Sequence, residues 1–177
     1  MADPLLDLET RRRIVTLVHT YPGLHVREVA RQLQTSVALV EYHLPVLLEN
    51  GLLSEERGEH LQRLFPASGR GAQGLGKRER RRVGLLRSRW PLSITLHLLE
   101  GRAPLRHRDL ADVLGIGKSK LSFHLRKLEA AGIVAKDAEG AFRVADRGEV
   151  LKLLLHYPPS PDLRGEFAKL WLSLYGK

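Results

Sequence analysis

The chain has no cysteine in its 177 residues. That absence excludes disulfides, thiolate metal sites, cysteine nucleophiles and thiol redox sensing. No apolar run approaches the roughly 18 residues of a membrane-spanning helix, and MADPLLDLETRRR lacks the charged start and apolar core of a secretory signal. The expectation is a soluble, cytoplasmic protein that does not contact a membrane. Enzyme signatures are also missing: there is no Gly-x-Ser-x-Gly and no phosphate-cradling glycine loop with lysine. The glycines of GRGAQGLG lack the preceding strand of a nucleotide fingerprint. Catalysis is not expected, nor is a cofactor. At 43% hydrophobic residues, the chain can bury two small cores rather than one large one.

What the sequence does contain is a repeat. Leu24 to Leu53 aligns without a gap to Leu105 to Val134, each residue matched 81 positions later. Identical pairs include Leu24/Leu105, Ala30/Ala111, Leu33/Leu114, His43/His124, Leu44/Leu125, Leu47/Leu128 and Gly51/Gly132. One fold is used twice, so the identities are structural and the differences carry function.

Each copy spells a helix, a break and a second helix. Val29, Ala30 and Leu33, or Leu110, Ala111 and Leu114, give one buried face of a short first helix. Gln34-Thr35-Ser36 or Gly115-Ile116-Gly117 suits a tight turn and N-cap. The second helix spans Val37 to Asn50 or Lys118 to Ala131, and Gly51 or Gly132 stops it. A hairpin pattern follows, Leu52 to Phe65 and Ile133 to Ala145. A preceding helix completes each core, with Ile14, Leu17 and Val18 or Ile94, Leu96, Leu98 and Leu99. The fold class expected is mainly α with small β-hairpin wings: two tandem winged helix-turn-helix domains plus C-terminal helices.

This order of elements resembles the winged-helix family. Within it, SVALVEYHLPVLLENGLL and GKSKLSFHLRKLEAAGIV are similar to the signature of ArsR-type regulators: a Ser or Gly turn, a Tyr/Phe-His-Leu step and a Leu-x-x-x-Gly-Leu/Ile exit. Two such units followed by LLLHYPPSPDLRGEFAKLWLSLY resemble the tandem winged-helix transcriptional regulators of archaea and some bacteria. The resemblance covers nearly the whole chain and implies DNA-binding regulation, though no particular regulon.

The net charge is +9, unevenly spread. Met1 to Pro66 has seven Lys/Arg against nine Asp/Glu, Ala67 to Trp90 eight against one, and the remainder 14 against 10. The cationic field that would attract a polyanion lies in the connector and the second copy. The expected organisation is a first winged helix at 1–66, a basic Gly/Arg-rich connector at 67–90, a second winged helix at 91–147 and a helical tail at 148–177.

In the connector, Lys77, Arg78, Arg80, Arg81 and Arg82 are candidate phosphate contacts. The structural alternative is a solvated helix with Val83, Leu85 and Leu86 on its buried side. In the second copy, Lys118, Ser119, Lys120, Ser122, His124, Arg126 and Lys127, with Arg108 on the helix before, form the candidate reading face. The equivalents of its leading residues in the first copy are Val37, Ala38, Leu39, Glu41 and Pro45. That copy offers no cation on its reading face, and Pro45 is expected to kink its helix. Ser36, Tyr42 and His43 are its candidate DNA contacts. It is otherwise expected to serve as a dimerisation, partner or ligand module, or as a weak second reader.

ArsR-type proteins include metal sensors, but His43 and His124 have no Cys, Asp or His beside them at helical ligand spacing, so no metal is expected. In the tail, Leu163, Phe167, Leu170, Trp171 and Leu174 fall on one face. That face folds back on the second domain or pairs with a second chain, and the reading favours a homodimer. The reading is a sequence-specific regulator of double-stranded DNA, cytoplasmic and nucleoid-associated. The competing class is a protein-binding tandem winged-helix module in chromosome organisation or with RNA polymerase.

Overall fold

The structure, a computed structural model, describes residues 4–57, 62–67, 75–101 and 103–175. The chain divides into two compact units, Met1–Arg80 and Arg81–Lys177. The division falls inside the basic segment, within a helix.

The first unit opens with α1 (Pro4–Thr20), then β1 (Leu24–His25), α2 (Val26–Gln32), α3 (Val37–Glu49), β2 (Leu53–Arg57) and β3 (Gln62–Pro66). Ile14 and Val18 of α1, Val29 and Ala30 of α2, and Val40, Leu44 and Leu47 of α3 form its core. They recur at helical spacing, so each helix turns one apolar stripe inward. The Glu28 carboxylate accepts from the His25 N–H at 2.8 Å and so begins α2. Ser36 Oγ accepts from the Leu39 N–H at 3.1 Å and begins α3. The three strands lie in the order β1-β3-β2, antiparallel, with Leu24 and Glu55 both opposite Leu64. The α3 helix runs through Pro45 and ends at Glu49. The tip of this hairpin, with Gly58, lies outside the described residues, as does the glycine-rich start of the connector at 68–74.

Helix α4 (Lys77–Leu86) crosses the boundary. The second unit continues with α5 (Arg89–Glu100), α6 (His107–Leu114), α7 (Lys118–Ala130), β4 (Val134–Lys136), β5 (Phe142–Val144), α8 (Arg147–His156), a short 3₁₀ turn (Pro161–Leu163) and α9 (Arg164–Tyr175). The repeat holds in three dimensions. Leu105 exchanges hydrogen bonds with Phe142 at 2.9 and 2.8 Å, the counterpart of the β1–β3 pairing around its equivalent, Leu24. Gly51 and Gly132 both adopt φ near +65°, at +64° and +66°, where glycine carries no steric cost. The α2–α3 turn needs the same left-handed residue. Copy two supplies Gly115 at φ +59°, whereas copy one uses Gln34 at φ +54°.

The described part of the connector is helical from Lys77 to Leu86. Val83 and Leu86 of α4 are buried, as the amphipathic alternative anticipates, and Arg82 and Arg87 are buried with them.

Candidate nucleic-acid interface

Helix α7 turns Leu121, Leu125 and Leu128 into the core. The rest of its surface is set by that choice. Lys118, Ser119, Lys120, Arg126 and Lys127 are exposed, and Phe123 keeps 45% of its surface in solvent. Lys127 Nζ lies 4.2 Å from the Phe123 ring centroid, and Lys120 Nζ lies 4.9 Å from that of Trp90. The residue before the helix, Gly117, has no side chain to accept from the first turn. The opening N–H groups of α7, at the positive end of the helix dipole, therefore receive no cap from that residue and lie beside two exposed lysines, an arrangement suited to phosphate. In the first unit Ser36 occupies that place and caps α3.

Other sequence candidates also have neighbours within the second unit. Ser122 Oγ is 2.8 Å from His107 Nε2 and half-buried. His124 is half-buried, and its pKa is lowered first by burial and then by Lys120 and Lys127. It is an uncharged ring at neutral pH rather than a phosphate cation. Arg108 is exposed and 3.8 Å from Asp112, one turn along α6.

Two candidates are corrected. Arg82 is 4% exposed. Its Nε and Nη2 donate to the carbonyls of Ala131 and Gly132 at 2.9 and 2.8 Å, and Nη1 lies 2.7 Å from Glu149 Oε1. It caps the exit of α7 and ties it to α8, and at this burial it is out of reach of a phosphate. His43 is fully buried, with Nε2 3.7 Å from Asp7 Oδ1. Burial is the main cause of its lowered pKa, opposed by Asp7 and assisted by Arg11. A buried neutral ring contacts no nucleic acid.

Of the remaining connector cations, Lys77, Arg78 and Arg81 are exposed. Arg80 is half-buried, with Nε donating to the Leu75 carbonyl at 2.9 Å and its guanidinium 5.2 Å from the Phe65 ring centroid. In the first unit, the exposed face of α3 carries Ala38, Leu39, Glu41, Tyr42, Pro45 and Glu49, with Tyr42 60% exposed and Leu39 38%. On β3, Arg63 donates to the Gly23 carbonyl at 2.7 Å, and burial lowers its pKa to about 10. Among the described residues no group of His, Cys, Asp and Glu could hold a metal ion, and no helix is long and apolar enough to cross a membrane.

Residues 93–136, which hold α6, α7 and β4, match the bacterial regulatory protein, arsR family. Residues 8–72 match an N-terminal HTH domain. The chain is a tandem winged helix-turn-helix protein, and its second unit is similar to arsR-type regulators. It is 28% identical, over 134 residues covering 75% of its length, to an uncharacterized HTH-type transcriptional regulator of Methanocaldococcus jannaschii. The matched stretch spans about a third (32%) of that curated relative.

In this tandem winged-helix protein, sequence reasoning missed Phe123 and Trp90. Phe123 was signalled by the repeat, since it stands 81 residues after Tyr42. Trp90 had no such signal, because the first copy has Glu9 at that place. In the tail, α9 packs against α5 of the same unit. Leu163 lies in the 3₁₀ turn rather than in the helix, and Leu163 and Phe167 are half-buried. The side chains of Leu170, Trp171 and Leu174 lie outside the described residues.

Proposed function

We propose that the chain binds double-stranded DNA as a non-catalytic transcriptional regulator of the cytoplasm and nucleoid, with the second unit as its main reader. The observation carrying this reading is the outer face of α7: Lys118, Lys120, Arg126 and Lys127 exposed, beside a first turn whose capping position is a glycine. Dipole, backbone donors and side-chain charge favour phosphate, while Ser119 and Lys120 reach towards base edges. Lys77, Arg78 and Arg81 add sequence-independent attraction. Duplex selection followed by titration across salt tests this. Log affinity is expected to fall with log salt by about 0.9 per phosphate neutralised, and a flat dependence overturns the reading.

The α3 face of the first unit favours a second role, as a protein-contact module. It displays an exposed tyrosine and leucine beside Glu41 and Glu49, and DNA repels such a face. Two copies of the chain on a two-fold site complete the proposal, as symmetric operators are read by symmetric proteins.

A further inference from the structure

Between α5, the end of α6 and α9, the second unit has an open cleft of about 350 Å³, within the range of about 300–1,000 Å³ common for small-molecule sites. Trp90 and Val113 contribute apolar surface, and Arg89, Lys169 and Glu100 contribute charge.

The two repeats agree where they are buried. Ile14 and its equivalent Thr95 are both 0% exposed, and so are Val18 and Leu99. They disagree along the cleft: Trp90 replaces Glu9, His97 replaces Thr16 and Val113 replaces Gln32. A winged-helix core therefore does not require an indole or a valine at these places. Val113 nonetheless leaves 60% of its surface in solvent. Arg89 and Lys169 bring positive charge to this apolar wall, which suits the carboxylate of a small apolar body.

We propose that this cleft binds a small aromatic carboxylate, and that Trp90 passes its occupancy to the recognition helix. The indole is the shared part. Arg89 Cζ lies 5.5 Å from its ring centroid and Lys120 Nζ 4.9 Å. An aromatic body lies against the indole and Val113, while its carboxylate pairs with Arg89 and Lys169. Pairing Arg89 with the ligand alters its hold on the ring, and the same ring positions Lys120. Ligand and duplex thus become linked, each changing the affinity of the other by one factor. The linkage rests on the DNA reading, but the cleft does not.

The test uses the full chain, ¹⁵N-labelled, with Trp171→Phe so that Trp90 gives the one tryptophan indole N–H signal. Benzoate is the probe and benzamide, of the same shape without charge, the comparator. Benzoate is expected to shift the Trp90 signal saturably below about 10 mM, with benzamide about tenfold weaker. Arg89→Ala with Lys169→Ala, both at exposed positions, is expected to weaken benzoate by about tenfold or more while the spectrum stays folded. No shift, an equal response to benzamide, or an unchanged affinity in the double variant overturns the site. Duplex titrations with and without saturating benzoate then read the linkage. Equal affinities overturn the linkage and leave the site standing. A chain that binds no duplex at any salt overturns the DNA reading, and the Trp90 titration still decides the cleft.

Discussion

The Nε–H of Arg82 donates to the carbonyl of Ala131 at 2.9 Å, from α4 to the residue that closes α7. The second donor takes Gly132, and Glu149 balances the charge. A helix end leaves its last carbonyls without partners inside the helix, and a guanidinium matches both their geometry and the negative end of the dipole. One residue from a basic run thus fixes the exit of α7, the helix proposed to read DNA.

Arg82→Met is therefore expected to destabilise the second unit by about 2–4 kcal/mol, since it orphans two carbonyls and takes a cation from Glu149. Arg82→Lys restores charge but not the fork, and recovers only part. Chemical denaturation checks this. An unchanged midpoint with weakened duplex binding would return Arg82 to the phosphate contacts.

The left-handed turn between the first two helices of each copy gives a paired test. Gln34→Gly is expected to stabilise the first unit by about 1 kcal/mol by relieving its φ of +54°. Gly115→Ala is expected to cost the second unit a similar amount, about 1 kcal/mol, and for backbone reasons alone, because no atom lies within 4 Å of the added Cβ. Thermal melts of the two variants moving in the same direction would contradict the shared geometry.

His43 makes the first unit acid-sensitive. Burial, its largest influence, and Arg11 depress its folded pKa, and Asp7 only partly opposes them. A depressed histidine contributes stability that is complete above its unfolded value of about 6.5 and is lost as pH falls through the folded value. His25 and His124 are displaced in the same direction, mainly by burial. Stability is expected to fall as pH drops below about 6.5, and His43→Leu to remove part of that slope. Urea midpoints measured at several pH values decide it, and an unaltered slope in the variant counts against the buried neutral ring.

Reading and anchoring separate by mutation. Ser119→Ala or Lys120→Ala is expected to relax preference at particular base pairs by about 1–3 kcal/mol. Replacing Arg78 and Arg81 with glutamine weakens every duplex alike and lowers the salt slope by about one for each phosphate no longer neutralised. Loss of preference with Tyr42→Ala and not with Lys120→Ala would exchange the roles of the two copies.

If two copies pair through the tail, the contact uses the outward side of α9, where Leu172 is 68% exposed, since the helix also lies against α5 of its own chain. Leu172→Glu is expected to give a monomer by light scattering with an unchanged melting temperature, because this side chain meets solvent in the single chain. A wild-type chain already monomeric at micromolar concentration ends the dimer proposal.

The repeat by itself determined the architecture. Apolar residues at helical spacing can be buried in only one way, and Gly51, Gly115 and Gly132 mark the left-handed positions in the string of letters, so helices, turns and wings were legible. The contrast between Lys118-Ser119-Lys120 and Val37-Ala38-Leu39 was equally visible, because exposed charge on a helix stays where periodicity puts it. Tertiary structure alone decided which charges remain outside. Arg82 and Arg81 are neighbours in one run, yet the exit of α7 returns to meet Arg82 and not Arg81. His43 and His124 share a motif, yet Asp7 and Arg11 on α1 border the first and Lys120 and Lys127 on α7 the second. Local sequence fixes a side chain's direction along its own helix. What lies opposite it comes from elements far away in the chain, and that decides whether a cation binds carbonyls or water.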